Sequence, residues 1–77
     1  MENQNQKHIA KSLLNLARET INGNMGKLFV TEAKYMIDPY LTVERIKELL
    51  MFYYPQLQVS VFNEQIILIH FKNDFTK

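Results

Sequence analysis

The segment 56–71, QLQVSVFNEQIILIHF, constrains the fold of this chain more than any other stretch of its sequence. β-branched and aromatic residues fill both of its halves, and the polar pair Asn63–Glu64 separates them, which is the pattern of a β-hairpin. Asn63 tolerates the positive φ that a two-residue turn requires. Glu64 suits such a turn poorly, so a longer loop stays open as an alternative, and it would shift the register of the two strands.

A two-residue turn assigns every side chain of the hairpin to one of two faces. The first face, which we expect to lie on the helices, contains Leu57, Val59, Val61, Ile66, Leu68 and His70. The second face contains Gln58, Ser60, Phe62, Gln65, Ile67, Ile69 and Phe71. A sheet with one solvated face normally alternates apolar and polar residues. Ile67, Ile69 and Phe71 break that alternation. Burying each of them contributes about 1.5–3 kcal/mol, so we expect another segment of the chain or a partner protein to cover them.

The spacing of apolar residues predicts two clear helices ahead of the hairpin. The first begins near Lys7, and Gly23 is expected to be its left-handed C-cap. The second lies directly before the hairpin and has Thr42 as its N-cap. It ends at Tyr54, because Pro55 cannot continue a helix.

The segment 27–38, KLFVTEAKYMID, fits both a helix and a strand. We favour an extended piece over residues 28–30, followed by a helix over residues 32–37 with Thr31 as its N-cap. Pro39 ends that helix, because the residue before a proline avoids helical dihedral angles.

Composition and element order predict one α+β domain, residues 1–77, with flexible tails over 1–6 and 73–77. Three helices are followed by a C-terminal antiparallel β-hairpin. The hydrophobic share of 47% and the charged share of 22% are typical of a globular chain. Cysteine is absent, which excludes disulfide bonds, thiolate metal sites and cysteine nucleophiles. The first residues lack the apolar core of a signal peptide, and no stretch approaches the roughly eighteen apolar residues of a spanning helix, so we expect a cytoplasmic protein.

The order of these elements resembles that of the winged helix-turn-helix superfamily over nearly the whole chain. The resemblance implies a small winged-helix-like domain in which residues 32–37 form the first helix of the motif and residues 42–54 the recognition helix. The hairpin at Asn63–Glu64 would then be the wing. Members commonly bind DNA with the recognition helix in the major groove. The DNA-binding residues that the resemblance implies here are Thr42, Arg45 and Lys47.

The distribution of charge favours a different use of such a fold. Nine basic residues face eight acidic ones, whereas nucleic-acid-binding proteins usually carry a basic stripe. Glu44 and Glu48 lie on the recognition helix and Glu64 lies at the wing tip, where they repel phosphate. We therefore favour a small non-enzymatic regulatory module that acts through protein contacts, by self-association or with a target protein. A winged-helix DNA-binding regulator is the alternative.

The protein-contact hypothesis assigns its residues to the hairpin and to the end of the last helix. The hairpin supplies Ile67, Ile69 and Phe71. Consecutive helical positions point in different directions, so one of Phe52 and Tyr54 is expected at the surface or against a partner. The remaining residues give no nucleophile–base pair, metal cluster or phosphate-binding loop. We therefore predict no catalytic residue, metal, cofactor or small-molecule substrate.

Overall fold

Six elements follow one another in the computed structural model of the chain, which describes residues 2–71, with side chains from residue 5 onward. They are α1 (Glu2–Arg18), β1 (Met25–Phe29), α2 (Val30–Met36), α3 (Val43–Tyr53), β2 (Gln58–Val61) and β3 (Ile66–His70). The predicted α+β class is confirmed, but the sheet has three strands where two were expected. The predicted tail 73–77 lies outside the described residues.

The three strands form one antiparallel sheet in the order β1-β3-β2. Leu68, at the middle of β3, lies between Lys27 of β1 and Ser60 of β2. The most apolar strand therefore takes the central place, where both of its edges are hydrogen-bonded.

The segment 27–38 contains both a strand and a helix. Its strand begins at Met25 and pairs with β3, so Leu28 lies opposite Ile67. Its helix α2 begins at Val30, with Phe29 as an N-cap that makes no side-chain hydrogen bond. Thr31 is therefore not the cap. It lies within the first turn of α2, and its exposed hydroxyl donates instead to the side-chain oxygen of Gln65, at 2.9 Å.

The bounds of α1 differ from the prediction, whereas the start of α3 agrees with it. Helix α1 begins at Glu2, earlier than expected, and ends at Arg18. Gly23 has the expected positive φ, 70°, but it serves the turn that joins Asn22 to Met25. The N-cap of α3 is confirmed, because the hydroxyl of Thr42 accepts a hydrogen bond from the backbone N–H of Arg45 at 3.1 Å.

The loop between β2 and β3 is longer than the favoured two-residue turn. Strand β2 ends at Val61 and β3 begins at Ile66, which leaves four residues, 62–65, between the strands, and Val61 pairs with Ile67. Asn63 shapes this loop with its side chain, because its Oδ1 accepts from the backbone N–H groups of Gln65 (2.7 Å) and Ile66 (2.9 Å). No residue other than glycine has a positive φ within the described part of the chain. The longer loop left open by the sequence is the one that forms.

This one-residue change of register moves every side chain of β3 to the opposite face of the sheet. Ile67 and Ile69 are 0% exposed and Phe71 is 1% exposed. The predicted assignment of these three residues to a partner-binding face is therefore wrong, because the chain itself covers them. Ile66, Leu68 and His70, which were expected on the helices, point away from them.

Helices α1 and α3 pack on the inner face of the sheet and close the core. The buried residues are Ala10, Leu13, Leu14, Leu16, Ala17, Leu28, Val30, Ala33, Leu41, Ile46, Leu49, Leu50, Leu57, Ile67, Ile69 and Phe71. Helix α1 lies close to the sheet at Gly26, where an added Cβ would lie 2.6 Å from the carbonyl oxygen of Ala17 and 2.9 Å from the ring of Phe71. A glycine at this position is what allows that close approach.

Candidate functional site

The side of the sheet that faces away from the helices has mixed apolar and cationic character. We call it the outer sheet face. Its members are Met25, Lys27, Phe29, Gln58, Ser60, Phe62, Ile66, Leu68 and His70. Five of the nine are apolar, and none is acidic. No described element packs over them, since the helices occupy the other side.

A shallow cavity of about 240 Å³ lies at the centre of this face. Ile66 and Leu68 form its floor, while Lys27 and Phe62 stand on opposite sides. The backbone N–H of Phe62 donates to the carbonyl of Ile66 at 3.0 Å, which holds the aromatic residue beside the cavity. Phe62 is nevertheless 66% exposed. The cavity thus presents an apolar floor, a solvated aromatic ring and one ammonium group.

The origin of the apolar outer face lies in the run Ile66–Ile69. Successive side chains of a strand point to opposite faces, so any register of this strand sends two aliphatic residues outward. The observed register buries Ile67 and Ile69 and leaves Ile66 and Leu68 partly exposed. The sequence therefore contained the signal for two apolar faces, although not for which residues belong to each.

Polar groups border the apolar part of the outer sheet face. His70 and Gln58 lie opposite one another, and the Nδ1 of the imidazole is 3.2 Å from the amide Oε1. Lys27 occupies the β1 side. All three side chains are exposed. The rim therefore offers hydrogen-bond donors and a positive charge to whatever covers the apolar centre.

A second exposed aromatic site lies at the end of α3. Phe52 is 75% exposed and contacts Tyr53 edge to face, with ring centroids 4.9 Å apart. A groove of about 460 Å³ runs beside it, lined by Gln6, Arg45, Glu48, Leu49, Met51, Phe52 and Tyr53. Tyr54 packs partly against the core. The expectation that one of Phe52 and Tyr54 is at the surface is confirmed, and Phe52 is that residue.

The three residues implied as DNA contacts differ in their surroundings. The hydroxyl of Thr42 is engaged in capping α3. Arg45 forms an ion pair with Glu48, its guanidinium nitrogen 3.5 Å from the carboxylate oxygen. Lys47 is exposed.

The space of about 440 Å³ between α3 and the hairpin tip is lined by Val30, Lys34, Thr42, Val43, Glu44, Val61, Asn63 and Glu64. Two carboxylates and one ammonium there leave little attraction for phosphate.

Sequence reasoning missed the exposed aromatic residues of the second helix and the turn after it. Tyr35 is 90% exposed, and Tyr40 and Met36 are also largely exposed. Only Val30 and Ala33 of α2 are buried. A helix of seven residues presents one buried stripe at most. Val30 and Ala33 are three residues apart and form that stripe, so their spacing was the signal that Tyr35 and Met36 lie on the solvent side.

Comparison of the chain with family models, with curated proteins and with solved structures finds no match. Within residues 2–71, no three histidine or carboxylate side chains are grouped as metal ligands would be. The helices of the same part of the chain are too short or too polar to cross a bilayer.

Proposed function

We propose that this protein is a small non-enzymatic regulatory module that binds another protein through the outer sheet face. The observation that carries the proposal is the presence of two apolar faces on one sheet. The inner face is filled by α1 and α3, whereas the outer one keeps Phe62, Ile66 and Leu68 at least partly in water. Exposed apolar patches of this kind on small proteins commonly mark interaction sites.

The chemistry of the outer sheet face favours an apolar partner surface with a nearby carboxylate. Covering an exposed side chain such as Phe62 contributes about 1.5–3 kcal/mol. Aromatic residues are enriched in the buried centres of protein interfaces, and Phe29 and Phe62 supply them here. Lys27 at the cavity rim would pair with an acidic group of the partner, which adds specificity more than affinity.

Phe52 and Tyr54 stay a predicted second contact in this proposal. Phe52 lies on the helical side of the domain, whereas the outer sheet face lies on the opposite side of the sheet. A partner that wraps the domain would touch both, but a flat partner surface would touch only one. The two contacts are therefore separable by experiment.

A photo-crosslinking pair tests the proposal in cells that express the protein. Benzoylphenylalanine replaces Phe62 at the cavity in one variant and Tyr35, which is 90% exposed on α2, in the matched control. We expect from position 62 a discrete adduct with a protein other than this chain, which position 35 does not give, and we expect its loss when Leu68→Lys is added. No adduct from position 62, or the same adducts from both positions, would overturn the proposal.

A winged-helix DNA-binding regulator is the second candidate, supported by the element order alone. A strand precedes α2, a short turn joins α2 to α3, and the hairpin follows α3. Thr42, Arg45 and Lys47 would contact DNA in this case. Because phosphate contacts release counterions, binding to mixed-sequence duplex must weaken steeply as salt rises. A titration that finds no affinity even at low salt removes this candidate.

A further inference from the structure

The two edges of the sheet differ in how their backbone groups are satisfied. At the β1 edge, the hydroxyl of Thr20 accepts from the N–H of Lys27 at 2.7 Å and donates to the carbonyl of the same residue at 2.8 Å. Asn22 and Met25 exchange two backbone hydrogen bonds, of 2.9 and 3.3 Å. The outward backbone groups of residues 25 and 27 are thus occupied, and this edge is closed to a further strand.

The β2 edge is open. The hydrogen bond from the N–H of Phe62 to the carbonyl of Ile66 fixes which residues face β3, namely 58, 60 and 62. Val59 and Val61 consequently direct their N–H and C=O groups away from the sheet. Within residues 2–71, β3 is the only strand that pairs with β2. No backbone group among residues 2–71 bonds to these two donors and two acceptors, which leaves them available to another chain.

The side chains of β2 do not protect this edge. Natural edge strands usually carry charged residues, proline or a bulge, or are covered by another element. Residues 56–63, QLQVSVFN, contain no charge and no proline. Val61 shares the inner face with Ile67 and yet is 43% exposed. This exposure is expected of an inward-facing residue on an edge strand that no described element covers.

We propose that β2 pairs antiparallel with β2 of a second copy of this chain, about a two-fold axis at Ser60, to form a six-stranded sheet. In this register Val59 lies opposite Val61 of the second copy, and Val61 opposite its Val59. All the outward donors and acceptors of residues 59 and 61 are then used. The exposed flank of Val61 becomes covered by a valine.

A second copy fits this edge because the strand is complementary to itself. Its outward groups are spaced symmetrically about Ser60, and no charge of the strand meets a like charge across the axis. Phe62 lies opposite the neutral Gln58 of the second copy. Phe62 belongs to the outer sheet face and also lies near the seam, so an adduct of the chain with itself at residue 62 would report the dimer, and only an adduct with a different protein would report the outer sheet face.

A cysteine pair tests the register, because the chain has no cysteine of its own. In a non-hydrogen-bonded antiparallel pair, the two Cα atoms of residue 60 would lie about 4.5 Å apart, within reach of a disulfide. Those of residue 58 would lie roughly 14 Å apart, because strands rise about 3.4 Å per residue. Both side chains are exposed on β2. We expect Ser60→Cys to form a disulfide dimer on mild oxidation and Gln58→Cys to do so at least about tenfold more slowly.

Sedimentation of the purified full chain supplies the second measurement. Val61→Pro removes an outward N–H and leaves the ladder with β3 intact, whereas Val61→Thr keeps that N–H and a similar shape. We expect a concentration-dependent dimer for the wild type and for Val61→Thr, with association lost in Val61→Pro. Circular dichroism checks that each variant is folded.

A charge pair keeps the test decisive if the proline variant fails to fold. Ser60→Lys and Ser60→Glu each place like charges on the axis, so each alone is expected to be monomeric, while an equimolar mixture dimerises. A wild type that stays monomeric at every concentration, or equal oxidation rates at residues 58 and 60, would overturn the inference. If β2 instead pairs with an extended peptide of another protein, the purified wild type stays monomeric. A monomeric wild type would leave the photo-crosslink from residue 62 to a different protein unaffected, so the dimer inference and the proposed function can fail separately.

Discussion

The hydroxyl of Thr20 makes two hydrogen bonds to the backbone of Lys27, accepting from its N–H at 2.7 Å and donating to its carbonyl at 2.8 Å. One side chain from the turn after α1 thereby occupies the outward backbone groups of an edge residue. The same hydroxyl also lies 2.9 Å from the carbonyl of Ala17. It therefore links the end of α1 to β1 and closes this side of the sheet.

Loss of that hydroxyl should destabilise the domain. Thr20→Val keeps the shape of the side chain and removes both hydrogen bonds, so we expect the free energy of unfolding to fall by about 1–2 kcal/mol, since each bond contributes roughly 0.5–1.5 kcal/mol net and the site is exposed. Urea unfolding followed by circular dichroism measures the change. Thr20→Ser keeps the hydroxyl and is the control. Equal midpoints for the valine and serine variants would contradict this role.

The two glycines of the chain should respond to alanine for different reasons. At Gly26 the added methyl group would overlap Ala17 and the ring of Phe71, so we expect a loss of roughly 2–3 kcal/mol from overpacking. At Gly23 the space is open and only the positive φ opposes a side chain, which costs about 1–2 kcal/mol. Thermal unfolding compares the two. Gly23→Asn, which tolerates positive φ better than alanine, is the control, and a Gly26→Ala variant as stable as the wild type would contradict the close approach of α1.

How far the sequence determines this fold is clearest at Asn63. Its residue type indicated a turn, and the apolar arms on either side indicated strands, so the hairpin and the N-cap Thr42 were both predictable from local chemistry. The length of the loop was not, because Asn63 acts through its side-chain oxygen on Gln65 and Ile66 and not through a positive φ. An extended piece was expected over residues 28–30, but the full strand Met25–Phe29 and its pairing were not, since its pairing partner lies some forty residues further along the chain.

The candidate surface followed the same pattern of partial predictability. A run of four aliphatic residues forces an apolar outer face in either register, so the existence of the surface was predictable. Which residues belong to it was not predictable, because the length of the loop 62–65 shifts the register of β3 by one residue. Phe52, in contrast, was correctly expected at the surface, because helical geometry alone separates it from Tyr54.

Adjacent isoleucines provide a direct test of the register. Ile67→Thr places a hydroxyl in the core and removes a buried methyl group, so we expect a loss of at least about 2 kcal/mol in the free energy of unfolding. Ile66→Thr makes the same chemical change on the outer sheet face, and we expect a loss under about 1 kcal/mol. The urea midpoints of the two variants compare them directly. The slipped register would reverse their order, and that reversal would contradict the structure.

Alkaline pH should expose the environment of Tyr54. Burial raises the pKa of its phenol above the ordinary 10.0, and the positive charge of Arg18 opposes the rise. Because the folded state holds the proton more tightly, this group leaves the free energy of unfolding unchanged below pH 10.0 and lowers it as the pH rises through the folded-state pKa. Tyr54→Phe removes that part of the decline, whereas Tyr40→Phe, at an exposed position, keeps it. Urea midpoints measured across the alkaline range check the difference, and parallel curves for the two phenylalanine variants would contradict it.

The ion pair between Arg45 and Glu48 separates the two functional candidates. Both side chains are exposed, so the pair contributes little to stability, about 0–1 kcal/mol, and Glu48→Gln should unfold near the wild-type midpoint. If α3 binds DNA, the variant releases Arg45 and removes a charge that repels phosphate, so affinity for mixed duplex should rise and its salt dependence should steepen by about one phosphate contact. Glu19→Gln changes the net charge equally at the far end of α1 and should have no such effect. If the protein acts through the outer sheet face, as we propose, neither variant binds DNA at low salt. A salt-dependent gain in affinity for duplex DNA that is confined to Glu48→Gln would instead favour the DNA-binding regulator.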